Sequence, residues 1–130
     1  MVKRQPVTSP KLQTPANPYS LATRAGNLLF ISGQVALDGA GQLVGRGDVE
    51  AQCRQVLANI KALVEAAGGT MDDVAKTTTF VTNMRDLPRT LAVRREFFQP
   101  PYPASTAVQI SQLVDPEWLI EIEAIAVLDR

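Results

Sequence analysis

Apolar residues recur along the chain with two different periods, and the switch between them marks out its elements. From Val49 they fall at Val49, Cys53, Val56, Leu57, Ile60, Leu63, Val64 and Ala67, the three-and-four spacing that lays one stripe along an α-helix. Asp48 stands where an N-cap belongs and Gly68-Gly69 where a helix stops, so the pattern predicts a helix over 49–67. Val74 to Thr82 is rich in threonine and valine, β-branched residues that suit a pleated surface, and reads as a strand. Upstream, Ser20 to Ala25 and Leu28 to Ser32 flank the turn dipeptide Gly26-Asn27 and predict a hairpin. Downstream, Asp86 is the expected cap of a second helix, with Pro88 in its first turn and Leu87, Leu91, Arg94 and Phe98 on one face. Pro100, Pro101 and Pro103 end it. Two strands follow, Ala104 to Ile110 and Trp118 to Leu128, joined across a turn region at Asp115-Pro116.

The order hairpin, helix, strand, helix, strand, strand is that of an α+β fold. With 130 residues and neither repeat nor linker composition, one domain is expected over 1–130, and residues 1–18, holding four prolines, form an extended N-terminal arm. Two helices cover only one side of such a sheet, yet the last strand is apolar on both faces. Ile120, Ile122 and Ala124 lie on one, and Leu119, Ile125 and Val127 on the other. The uncovered face is therefore expected to be buried by another subunit.

Composition narrows the chemistry. Thirteen basic and thirteen acidic side chains balance to zero, so no global field draws the protein to nucleic acid or to an anionic membrane. Cys53 is the single cysteine and excludes an internal disulfide, which points to the cytoplasm; placed on a helix's inner face, it reads as a core filler. The first thirteen residues lack the apolar stretch of a secretory signal, and no later run approaches the ~20 residues needed to span a bilayer. With no histidine, nitrogen ligands for zinc and histidine-based triads are absent, and no phosphate-loop or dinucleotide fingerprint occurs. Hydroxyls, carboxylates, backbone groups and water remain. Glu121 and Glu123 interrupt the last strand on one face, where an ionised carboxylate is costly without a partner. Spacing alone does not choose between them, or between catalysis and a salt bridge. Tyr19 and Ser32, at the two ends of the hairpin, are candidate hydroxyls, although packing for the tyrosine and backbone bonding for the serine are the plainer roles.

Pro18-Tyr19-Ser20, Gly26 to Gln34, Asn59-Ile60 with Glu65 to Gly68, Lys76 to Val81 and Ile120 to Ala126 together resemble, in order and spacing, the Rid (reactive intermediate deaminase, YjgF-like) family. The resemblance implies a chorismate-mutase-like α+β fold, a mixed β-sheet with two helices packed on one face. It also implies a homotrimer with pockets at subunit interfaces. The activity it implies is hydrolysis of enamines and imines to a carbonyl compound and ammonia, on a small-molecule substrate and without metal or organic cofactor. Glu121 matches the family glutamate that holds and activates water, Tyr19 and Ser32 match pocket residues, and Gly33 matches a position where backbone approaches substrate. Two positions depart from the pattern. Ser105, in Pro103-Ala104-Ser105-Thr106-Ala107-Val108, stands where active deaminases carry an arginine that grips the substrate carboxylate, and Leu91 stands where an asparagine is common. Arg94, three residues beyond Leu91 on the same helical face, is a candidate substitute; snorkelling to solvent or pairing with Glu96 or another subunit's acid is the plainer role. The leading expectation is an imine or enamine deaminase with altered substrate recognition, for example of an aminomuconate-like compound. The alternative is a non-catalytic trimer that binds a small metabolite or stabilises other proteins. RNA cleavage, a label attached to some relatives, finds little support in a neutral chain with no histidine and few aromatics.

Overall fold

The 49–67 stripe forms helix α1 (Val49–Ala66), and both of its ends are fixed as the residue types require. Asp48 accepts a hydrogen bond from the Ala51 N–H, satisfying one of the first-turn donors. At the other end Gly68 takes φ +89°, a left-handed conformation open to glycine, and lets the Gly69 N–H reach back to the Val64 carbonyl. Val49, Cys53, Val56, Leu57, Ile60, Leu63 and Val64 are all buried, each aliphatic side chain contributing about 1.5 to 3 kcal/mol on removal from water.

The computed structural model describes residues 3–129. Around α1 it arranges strands β1 (Gln5–Val7), β2 (Ala22–Ala25), β3 (Leu28–Gln34), β4 (Val74–Val81), β5 (Ala104–Gln109) and β6 (Ile120–Val127), with a second helix α2 (Leu87–Phe97). The sheet order is β1-β2-β3-β6-β4-β5, antiparallel throughout except for the parallel β4–β5 pair that α2 bridges. The hairpin turns as expected, Gly26 taking φ +61° at its first central position. Both helices lie on one side. Leu29, Ile31, Thr77, Thr79, Val81, Ile120, Ile122, Ala124 and Ala126 face them and are buried, while Leu28, Phe30, Val108 and Val127 stay exposed on the other side. The open apolar face anticipated from the last strand is thus present.

Several expectations are corrected. The extended arm expected over 1–18 is not one of them: within it Gln5–Val7 pairs with β2 as the sheet edge, a place where a proline such as Pro6 is tolerated. Asp86 makes no side-chain cap to α2; instead Asn83 accepts from the Arg85 N–H and caps a single 3₁₀ turn, Met84–Asp86, that leads into the helix. The buried side of α2 carries Thr90 and Val93, and Leu91 is 42% exposed, so of the Leu87–Leu91–Arg94–Phe98 stripe only Phe98, at the helix end, joins the core. Finally, β5 and β6 are consecutive but not neighbours: β4 lies between them.

Candidate functional site

The register of β3 against β6 slips by one residue at the place where the candidate side chains gather. Ile31 pairs with Ala124 and Gln34 with Ile122, so the three-residue step on β3 faces a two-residue step on β6 and leaves Ser32 and Gly33 together opposite Glu123. Such a bulge bends the strand and re-aims its side chains. Ser32 is held firmly: its N–H donates to the Leu21 carbonyl at 2.9 Å and its hydroxyl donates to the Ser20 carbonyl at 2.6 Å. With its proton committed, Ser32 Oγ has lone pairs left to accept from a ligand. Gly33 gives way to Glu121. A methyl group there would stand 2.5 Å from a carboxylate oxygen of Glu121 and 2.6 Å from its carboxyl carbon, so only glycine lets this carboxylate lie against the bulge.

Glu121 sits in register with Phe80, and Phe80 with Val108, a row on the open face of the sheet. Burial, and after it the negative charge of Glu123, pushes the Glu121 carboxyl above the usual carboxylate range. A carboxylate so placed is a stronger proton acceptor than an ordinary surface glutamate. Beside it opens a cavity of about 630 Å³, whose walls include Arg4, Tyr19, Phe30, Ser32 and Glu123. Tyr19, itself 56% exposed, also lines a neighbouring cavity of about 320 Å³ that reaches Gly33. The structure therefore groups Tyr19, Ser32, Gly33, Glu121 and Glu123, with Glu123 rather than Glu121 lining the larger space.

Ser105, Leu91 and Arg94 form a second group on the other side of the sheet. Ser105 pairs with Thr77, and Thr77 with Ala124, a row that faces the helices. A recess of about 220 Å³ there is lined by Leu91, Arg94, Arg95, Phe98, Tyr102, Pro103 and Ser105. Glu96 is not Arg94's partner, because it takes a two-pronged bond from Arg54 at 2.9 and 2.7 Å. Cys53, fully buried on α1, has its thiol pushed up to about 12 chiefly by burial, which removes it as a nucleophile. Arg4 and Asn17 also line the larger cavity and were invisible to pattern reading, since an isolated polar residue in a proline-rich arm carries no periodic signal.

Residues 10–128 match the model of a family described as endoribonuclease L-PSP. A RutC family protein of Pyrococcus horikoshii is 46% identical over 112 residues, 86% of this chain and 88% of that one. A 2-iminobutanoate/2-iminopropanoate deaminase of Dermatophagoides farinae is 34% identical over 129 residues, 99% of this chain and the whole of that one. The crystal structure of RidA from the Antarctic bacterium Psychrobacter superposes with a TM-score of 0.89 at 36% identity, covering 96% of this chain and 100% of the other.

Proposed function

The chain belongs to the Rid (YjgF-like) family, the one described as endoribonuclease L-PSP, and on that premise we propose that it hydrolyses imines or enamines with substrate recognition altered at Ser105. The observation that carries the reading is the Glu121 carboxylate laid against Gly33 and raised in proton affinity, beside the strand bulge where Ser32, together with Tyr19, lines the adjoining cavity. In the proposed reaction Glu121 takes a proton from water as the water oxygen bonds to the imine carbon and passes it to the nitrogen, giving a carbinolamine; it then takes the hydroxyl proton as the carbonyl forms and passes it to the nitrogen as the carbon–nitrogen bond breaks. The products are a carbonyl compound and ammonia. Ser32 accepts a hydrogen bond from the reacting nitrogen, and Tyr19 covers the cavity mouth. Ser105 cannot supply the bidentate guanidinium grip of an arginine, so the substrate held here is not the one that a clamp at position 105 selects.

The likeness to an iminobutanoate/iminopropanoate deaminase over the whole chain supports the reaction class. RNA hydrolysis draws no comparable support from a neutral chain without histidine. The reading is tested by ammonia release from imines generated in situ with an amino-acid oxidase, wild type against Glu121→Ala. A fall of at least about 10²-fold is expected for loss of a general base. Equal rates would remove Glu121 from the reaction.

A further inference from the structure

The bulge that receives Glu121 is built on the residue least able to hold its own shape. Gly33 must lack a side chain for the carboxylate to lie against it, and at the slip in register it has no regular ladder position to lock it. The backbone there has to be fixed by its neighbours.

Two buried amides do so, one on each side of the glycine. Gln34, 5% exposed and in register with Ile122, turns its Nε2 back to donate to the Ser32 carbonyl at 3.1 Å. That carbonyl belongs to the peptide that enters Gly33. Asn59, 3% exposed on α1, donates through Nδ2 to the carbonyls of Val35 and Leu37 at 3.1 and 3.0 Å. Both of its amide protons are then used, and its Oδ1 accepts from Gln55 Nε2 at 2.8 Å, which fixes the way the group points. The chain is thus pinned at Ser32 before Gly33, and tied to a helix at Val35 and Leu37 after it. Neither amide lines the larger cavity that Tyr19, Ser32 and Glu123 share; both line the smaller one that reaches Gly33.

We infer that Gln34 and Asn59 are positioning residues for the hydrolysis, fixing the backbone on either side of Gly33 so that the Glu121 carboxylate keeps its place against the bulge. The inference rests on the reading of Glu121 as the general base and deepens it by naming what holds that base. Burial is the main reason Glu121 binds its proton more tightly than an ordinary carboxylate, so a bulge freed from its amides would let water in and release that hold. A carboxylate displaced from its aim also loses rate without any loss of contact to the substrate.

The test follows the Glu121 side-chain carboxyl by carbon-13 NMR through a pH titration, its signal assigned by its absence in Glu121→Gln. In Gln34→Met, which keeps the length of the side chain and removes the donor, the midpoint is expected to move to lower pH. Asn59→Ala is expected to move it the same way. Ammonia release by Gln34→Met should fall about tenfold or more in kcat with KM within about threefold, and the acidic limb of its pH profile should shift with the midpoint. A purely structural role would lower the urea midpoint and leave the titration of the folded protein where wild type has it. An unmoved titration in folded Gln34→Met, or kcat within twofold of wild type, therefore overturns the inference. Should Gln34→Met fail to fold, Asn59→Ala decides by the same two measurements. A moved titration with no ammonia release from wild type would sink the hydrolase reading alone and leave the amides as the supports of the Glu121 site.

Discussion

Glu121 is the residue at which stability and chemistry pull against each other. Its carboxyl is raised by burial and by Glu123, so in the folded state it holds its proton to a higher pH than it does in the unfolded chain. Below the ordinary carboxylate range, about pH 4, the group is neutral in both states and carries no penalty. As pH rises through the unfolded and then the folded value, the unfolded chain loses its proton first, and stability falls. Glu121→Gln is therefore expected to match wild type in urea midpoint at about pH 4 and to exceed it near pH 7, while losing ammonia release. An offset of the same size at both values would show that the gain comes from packing and not from charge. The candidate residue itself was legible, because a glutamate amid isoleucines on a strand is conspicuous and the resemblance distinguished it from Glu123. What lay beyond the sequence was its surroundings. The slip that sets Ser32 and Gly33 together against one β6 residue changes no hydrophobic pattern, and Thr77 reads as one more strand threonine although its hydroxyl is stranded beside Ser105.

Helix α1 is tied to the sheet by a polar residue that periodicity overlooked. Gln52 is fully buried; its amide donates to the carbonyls of Gly45 and Glu117 at 3.1 Å each, and its oxygen accepts from the Leu119 N–H at 2.8 Å. These bonds fix the segment that enters β6 immediately before Glu121. Replacing Gln52 with leucine strands the Leu119 N–H and the Glu117 carbonyl, while the Gly45 carbonyl keeps its bond from the Asp48 N–H, and a loss of about 2 to 3 kcal/mol is expected from chemical denaturation. A change under about 0.5 kcal/mol would mean that water takes over the freed groups. Elements were legible in proportion to the strength of their period. The stripe of α1 and its two stop signals predicted it almost to the residue, whereas α2 is short and mixes arginines with its apolar positions, so its buried side, Thr90 and Val93, did not stand out. At three residues with a central proline, β1 has too little length to show an alternation. That β4 separates β5 from β6 is a matter of long-range pairing, which local pattern does not encode.

At the scale of the molecule, the sheet itself keeps the two halves of the proposed site apart. Glu121 lies on the open face in the row with Phe80 and Val108, while Ser105 lies in the row with Thr77 that faces the helices. Within one chain, a substrate lodged against Arg94 would have to pass through hydrogen-bonded strands to meet Glu121. The open face bears Leu28, Phe30, Val108 and Val127, an apolar surface of the kind that monomers rarely leave uncovered, and covering it with a second copy can bring the β5–α2 edge of one subunit to the bulge of another. The trimer that the resemblance implies would supply this arrangement three times. Sharing of the site between subunits has a kinetic signature. Glu121→Gln and Arg94→Met are each expected to be inactive alone, but when the two are mixed in equal amounts, unfolded and refolded together, about a quarter of the sites would pair an intact Glu121 from one subunit with an intact Arg94 from its neighbour. Ammonia release should then return to about a quarter of the wild-type rate, against a control in which the variants are refolded separately and mixed afterwards. Activity no higher than the control would mean that no site pairs Glu121 of one subunit with Arg94 of its neighbour and, since the sheet separates the two sides within a chain, would return Arg94 to a structural role.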